Sequence, residues 1–269
     1  MNEKMNVYKI RFTPGESRLA RHFIPKIFRN FAIQFANRGI NSNYDFCISL
    51  GDNCISAHLL RQNFLRKASF PFDWIAKGGI SSRFSLIKNN FENFLNVEDL
   101  EFCLSDEQEG SYVATNKRTG FYHPHDFTKK DLGIYVENPL ECFQQIKNKY
   151  LRRIKRLYTD LSGKKVLFVY FETKSVQDKF SSKEIIDNLK EIKNILGVTV
   201  LDLIYFRREK EFEMTRDIEI YEEEGVVLYK CRYPENIMKI DAWDTNDKVK
   251  KYFICALRKV AQARNKCRV

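Results

Sequence analysis

The chain is poor in several residue types that would assign a protein to a class. Its seven cysteines are an odd number, scattered, with no CxxC pair. That spacing excludes a disulfide framework and the ligand pattern of a zinc site. Reduced thiols of a cytosolic compartment are the natural reading, and neither metal nor cofactor is expected. No apolar run reaches the ~18–20 residues that span a bilayer. The N-terminus also lacks the apolar core of a secretion signal, so a soluble cytoplasmic protein is expected. There are no repeats and no low-complexity tracts. Histidine is scarce, with four in 269 residues, which makes the place of each one informative.

Charge of one sign is in deficit. Lys and Arg number 46 against 35 Asp and Glu, a net charge of +11. The bases are interspersed with acids, and no nucleic-acid motif is present, so no specific nucleic-acid partner is expected. A basic surface that aids solubility, or draws the chain to an anionic membrane or substrate, is the favoured reading. What is abundant is apolar: 43% hydrophobic residues, 14% aromatic, 22 phenylalanines. A chain of this length and content buries a substantial core.

Residues 1–43 read as a separate extension and 44–269 as the main domain. Met5 to Phe12 suits a strand, broken by Thr13-Pro14-Gly15. From Ser17 to Arg38, Leu19, Phe23, Ile24, Ile27, Phe28, Phe31, Ile33 and Phe35 recur at helical spacing among arginines and a lysine. Such a basic amphipathic helix more often packs on its own domain. Peripheral association of residues 17–38 with an anionic membrane or a partner protein is the other reading.

The main domain opens with a strand, Tyr44–Leu50, and a helix from about Cys54 to Phe64. A loop with a rigid proline and aromatics follows, Ser69-Phe70-Pro71-Phe72-Asp73-Trp74. The pattern predicts a helix from Ser81 to about Leu95, and a hairpin of Ser111–Ala114 and Gly120–His123. A long helix is expected from Asn138-Pro139 to about Leu161. The continuous apolar run Lys165–Phe171 reads as a strand buried on both faces. A helix capped by Ser181 or Ser182 and stopped by Gly197 leads to a strand over Val198–Phe206. Glu222–Glu224 reads as an acidic turn before a strand at Val226–Lys230, and a helix over about Thr245–Arg264 closes the chain. Strand–helix–strand order points to a layered α/β fold, its sheet largely parallel and flanked by helices.

The stretch with most chemistry is Phe46-Cys47-Ile48-Ser49-Leu50-Gly51-Asp52-Asn53-Cys54. Strand, tight turn and helix start would place the Cys54 thiol at a helix N-terminus, where unpaired N–H groups favour a thiolate. Gly51 permits the sharp turn. Asn53 or neighbouring backbone N–H groups would supply an oxyanion hole. A cysteine at a strand–helix junction is also often a small buried hydrophobe.

His58 lies one helical turn after Cys54 and shares its face. Tyr122-His123-Pro124-His125-Asp126 holds two of the four histidines beside an acid, a pattern that suits a general base and its orienting group. Asp241 and Asp244 precede the last helix, as caps or as a third member of a triad. Asp52 and Asp73 are further candidates, and Asp73 alternatively pins its own loop.

Ser49-Leu50-Gly51-Asp52-Asn53-Cys54, a leucine-rich helix, then Ser69-Phe70-Pro71-Phe72-Asp73-Trp74 resembles the signature of a bacterial and viral family, the DUF1796 group, described as "putative papain-like cysteine peptidases". His125-Asp126-Phe127 and Arg153-Ile154-Lys155-Arg156-Leu157 with Val166–Val169 extend the resemblance over about residues 44–171. The resemblance implies Cys54 as nucleophile, His125 as base, a peptide or acyl linkage as substrate, and a papain-like α+β fold as the alternative architecture. It leaves the orienting group unassigned, with Asp241 or Asp244 available and Trp74, His58, His123 and Asp126 as residues shaping the site. Papain-like enzymes place an oxyanion glutamine shortly before the cysteine, and none lies between Ala36 and Cys54. Gly-Asp-Asn is also similar to the Gly-Asp-Ser block of SGNH-type esterases. Asp241-x-x-Asp244 lacks the histidine of those enzymes, and none follows His125.

Two further classes stay open. One is a non-hydrolytic α/β transferase in surface-polysaccharide assembly, with Lys129, Lys130, Arg152, Arg153 and Arg156 on an anionic donor. The other is an interaction module with a degenerate site.

Overall fold

Along Lys165–Phe171 the side chains of Val166, Phe168 and Tyr170 enter one apolar cluster, and those of Leu167, Val169 and Phe171 enter another. Successive residues of a strand point to opposite faces, so this segment is covered on both sides. The computed structural model describes residues 5–11, 31, 33–35, 37–105, 112–127, 138–172, 180–209, 217–234 and 247–266. Its strands are β1 (Asn6–Arg11), β2 (Phe46–Gly51), β3 (Ala76–Lys77), β4 (Leu100–Leu104), β5 (Tyr112–Asn116), β6 (Phe121–His123), β7 (Lys165–Phe171), β8 (Val200–Glu209), β9 (Asp217–Glu223) and β10 (Val226–Pro234). Its helices are α1 (Arg38–Asn43), α2 (Ile55–Gln62), α3 (Gly79–Lys88), α4 (Phe143–Thr159), α5 (Ser182–Leu196) and α6 (Asp247–Lys266).

The larger sheet runs β1-β9-β10-β8-β7-β2. Strands β2, β7, β8 and β10 are mutually parallel, and β9 is antiparallel to both its neighbours. Buried residues of α3, α4 and α5 pack on one face and those of α1, α2 and α6 on the other. This is the layered, largely parallel α/β arrangement that the strand–helix–strand order implies. The smaller sheet, β3-β6-β5-β4, is antiparallel and joins the first face through Phe121, Ala114 and Leu100. β1 contributes residues from the N-terminal stretch to the edge of the larger sheet, and Asn43 of α1 donates to the Ala261 carbonyl at 2.8 Å. Among the described residues no helix is long and apolar enough to cross a membrane.

Local chemistry sets the helix ends. Ser181 and Glu184 form a reciprocal capping box at the start of α5, and Gly197, at φ 61°, ends it. The helix expected over Ser81–Leu95 stops at Lys88 instead. Asn90, Phe91 and Asn93 adopt positive φ, and Phe91 N–H reaches the Leu86 carbonyl at 2.8 Å. This turn carries Phe91 against Phe72 and Phe94 against Phe121, with the two phenylalanines edge to face at 5.5 Å.

The acidic turn expected at Glu222–Glu224 is also displaced. Glu222 and Glu223 lie in β9, and the turn is Glu224-Gly225, both at positive φ. Lys183 and Lys190 of α5 hold Glu223 at 2.8 and 3.0 Å, which lets the buried end of the strand carry an acid.

Candidate functional site

The end of β2 is shaped by backbone geometry that few residues tolerate. Gly51 has φ +76°, and a Cβ there would stand 2.7 Å from the Phe72 carbonyl oxygen. Only glycine meets both demands. Asp52 follows at φ +102° with 1% exposure, an uncommon backbone for a residue with a side chain. Such a residue costs about 1–3 kcal/mol and persists only where its surroundings hold it. Here the Asp52 carbonyl accepts from Lys77 N–H at 3.1 Å and Asp52 bridges Ala76 of β3.

Beneath the turn lies Arg83, fully buried on α3. It donates to the carbonyls of Leu50, Lys77 (2.7 Å) and Gly79 (2.5 Å), and its guanidinium lies 4.9 Å from the Phe121 ring centre. A buried cation that satisfies three carbonyls ties β2, β3 and α3 to one point.

Two left-handed residues turn the chain sharply, and α2 starts at once. Asn53 Oδ1 accepts from Ile55 N–H at 3.0 Å, so its carbonyl end caps the helix. The hydroxyls of Ser49 and Ser56 meet at 2.5 Å, and Ser49 Oγ accepts from Gly51 N–H at 3.1 Å. Cys54 is the N-cap residue, half-buried, and its carbonyl accepts the first helical bond from His58 N–H at 2.9 Å.

Of the other described thiols, Cys142 and Cys255 are half-buried as well. Cys47 and Cys231 are buried, and burial pushes the Cys47 thiol up to about 12 and that of Cys231 further still. Cys142 donates to the Pro139 carbonyl at 3.3 Å, and burial raises it as well. Cys103 is exposed on β4.

Trp74 is the meeting point of the surrounding segments. The guanidinium groups of Arg61 and Arg66 lie 5.7 and 5.4 Å from its ring centre. The exposed His125 stands edge-on to it, ring centres 6.4 Å apart. Arg61 in turn reaches His58 Nδ1 at 3.3 Å. A guanidinium only donates, so Nδ1 accepts, and the proton of the imidazole sits on Nε2.

His58 on α2, Trp74 on its loop and His125 at the end of the small sheet are thus linked through Arg61 and Trp74, and Cys54 joins them through its carbonyl on His58 N–H. Asp73 does not face this group. Its Oδ2 accepts from Arg66 Nε (3.0 Å), Arg66 Nη2 (2.6 Å) and Phe70 N–H (3.0 Å), which pins the loop from inside. Arg156 of α4 closes the same loop through the Ser69 carbonyl at 2.6 Å.

The neighbouring acid orients the other histidine of the pair. Asp126 holds His123 Nδ1 at 2.9 Å and accepts from Tyr150 O–H at 2.6 Å and from Lys149. His123 is shut off from solvent among Phe94, Phe127 and Tyr150. Strand alternation in β6 turns Phe121 and His123 inward together, so the pair belongs to the core. Against the cost of burying Asp126, its bonds to His123 and Lys149 hold the carboxyl well below the usual range.

Asp241, Asp244, Lys129 and Lys130 lie outside the described residues, as does most of 17–38. Of that stretch, Phe31 and Phe35 are exposed. Arg153 stacks on Tyr150 at 5.4 Å, and Arg156 is committed to Ser69.

Arg61 and Glu172 escape a reading of the chain by motif. Arg61 is detectable as the i+7 neighbour of Cys54. Glu172 follows directly on β7, and the C-terminal ends of parallel strands are where open α/β sheets bind ligands. It is 7% exposed, its Oε2 accepts from Tyr205 O–H at 2.9 Å, and burial raises its carboxyl above the ordinary range.

The family sequence model described as "Putative papain-like cysteine peptidase (DUF1796)" matches residues 45–202. An uncharacterized protein of Acanthamoeba polyphaga mimivirus is 35% identical over 167 residues, which cover 55% of this chain and 71% of that protein. No solved structure matches.

Proposed function

This chain belongs to the DUF1796 family, and from that premise we propose that it is a cysteine-dependent hydrolase of a peptide or acyl linkage. One observation carries the reading. Cys54 caps α2 one residue after the two left-handed residues Gly51 and Asp52 at the C-terminal end of β2. A thiol in that position meets the positive end of a helix and stands clear of the strand.

The Cys54 thiolate attacks the acyl carbon, and backbone N–H groups at the start of α2 receive the developing oxyanion. His125 accepts the thiol proton and delivers it to the leaving group, which departs as the C–N or C–O bond breaks and leaves a thioester. Water then attacks the thioester, His125 takes its proton, and the Cys54 sulfur leaves with the acid product free. His58 is a poor base for either step, because Arg61 occupies its Nδ1 and Nε2 already carries a proton. Trp74 shields the face of His125 that it borders.

The test is alkylation at neutral pH, followed by mass spectrometry, alongside hydrolysis of a fluorogenic peptide and ester panel. Cys54 is expected to react with iodoacetamide faster than the exposed Cys103, and its modification abolishes hydrolysis. Equal rates, or unchanged hydrolysis with Cys54 fully modified, overturn the reading.

A further inference from the structure

Cys54, His58 and Arg61 stand at positions i, i+4 and i+7, a single stripe along α2. Arg61 is two helical turns from Cys54, but helical side chains lean toward the N-terminus. Its Nη2 accordingly reaches back to His58 Nδ1 at 3.3 Å, on the residue one turn from Cys54, so the guanidinium leans toward the start of the helix. The Trp74 ring, 5.7 Å away, holds it from the other side.

Of the two arginines on Trp74, Arg66 is committed to Asp73 and to Ser69 Oγ at 2.7 Å. Arg61 is exposed, and no carboxylate pairs with it among the described residues. The nearby acids Asp52 and Asp73 are each 1% exposed and turned inward. A permanently charged fork with no counter-charge among the described residues, on the helix that Cys54 caps, suits a carboxylate.

We propose that Arg61, backed by Trp74, is the anion receptor of the Cys54 site, and that the substrate is a peptide carrying a carboxylate next to the bond attacked. The inference rests on the thiol-hydrolase reading and adds to it a class of substrate. The carboxylate is a side chain or a chain end, and both offer Arg61 the same fork of oxygens.

The test uses one warhead with and without a carboxylate on the full-length protein. Iodoacetate and iodoacetamide are compared at Cys54 and Cys103 at low ionic strength. The iodoacetate-to-iodoacetamide rate ratio is expected to be about tenfold higher at Cys54, falling as salt screens the charge. Arg61→Gln is expected to bring the ratio close to that of Cys103, and Arg61→Lys to retain part of it, with the thermal midpoint confirming that both variants fold. An unchanged ratio in Arg61→Gln overturns the receptor. Slow reaction of Cys54 with iodoacetamide overturns the hydrolase reading instead.

Protection identifies the source of the carboxylate. Acetyl-Ala-Glu-Ala-amide slows alkylation if a side chain is bound, and acetyl-Ala-Ala-Ala slows it if a chain end is bound. Protection by neither, or equal protection by acetyl-Ala-Lys-Ala-amide, overturns the acidic-peptide class.

Discussion

Asp126 binds Nδ1 of His123 at 2.9 Å in a setting where the two side chains are 2% and 0% exposed. A histidine oriented by an acid is the usual mark of a catalytic base, yet this one cannot be touched by substrate. His125, two residues on, is the one at the surface. The Asp126 network therefore serves the fold, and it anchors the loop that carries His125.

Removing that acid is expected to unfold part of the small sheet. Asp126→Asn leaves Lys149 and His123 without their buried partner and should cost about 3 kcal/mol at neutral pH, read from urea midpoints. Because the folded carboxyl lies below its ordinary range, its contribution is present above about pH 4 and fades as pH falls further. The wild type should lose stability on acidification in that window, and Asp126→Asn should show a flatter profile.

Gly51→Ala forces a Cβ against the Phe72 carbonyl at 2.7 Å in a left-handed backbone. We expect a loss of at least about 2 kcal/mol, seen as a lower thermal midpoint, with faster protease cleavage near the turn.

Arg66→Ala frees the buried Asp73 carboxylate and removes a cation from Trp74. A destabilisation of about 3 kcal/mol is expected. A shift in tryptophan emission should accompany it, since Trp74 is one of two tryptophans.

His125 and His58 should separate in kinetics. His125→Ala is expected to lower hydrolysis by about a hundredfold or more. His58→Ala should leave the pH profile in place and reduce the rate less. The reverse order would assign the base to His58.

Thiol titration supplies an internal scale. With their thiols pushed up by burial, Cys47 and Cys231 should react only on global unfolding, while Cys54 and Cys103 react in the native protein. Measured in increasing urea, the two slow thiols report the global stability of the larger sheet from β2 and from β10 and should agree.

Much of this molecule is local, and what is local was legible. The apolar run of β7, the Ser181 cap and Gly197 stop of α5, and the glycine before Asp52 each act within a few residues. The turn at Asn90–Asn93 was not legible, because Phe91 and Phe94 also fit a helical stripe and the rings they meet come from distant segments. β9 was hidden for a similar reason. Its acids look like a solvated turn until the lysines of α5 are placed beside them.

The same division runs through the candidate site. Sequence alone determined the left-handed turn and the helix start that present Cys54, because glycine freedom and helix capping are properties of neighbouring residues. Tertiary structure alone decided which histidine Asp126 orients, that Asp73 faces inward to Arg66, and that Trp74 joins α2 to His125. Those relations depend on which faces of separate strands and helices are buried together, and no spacing along the chain encodes that.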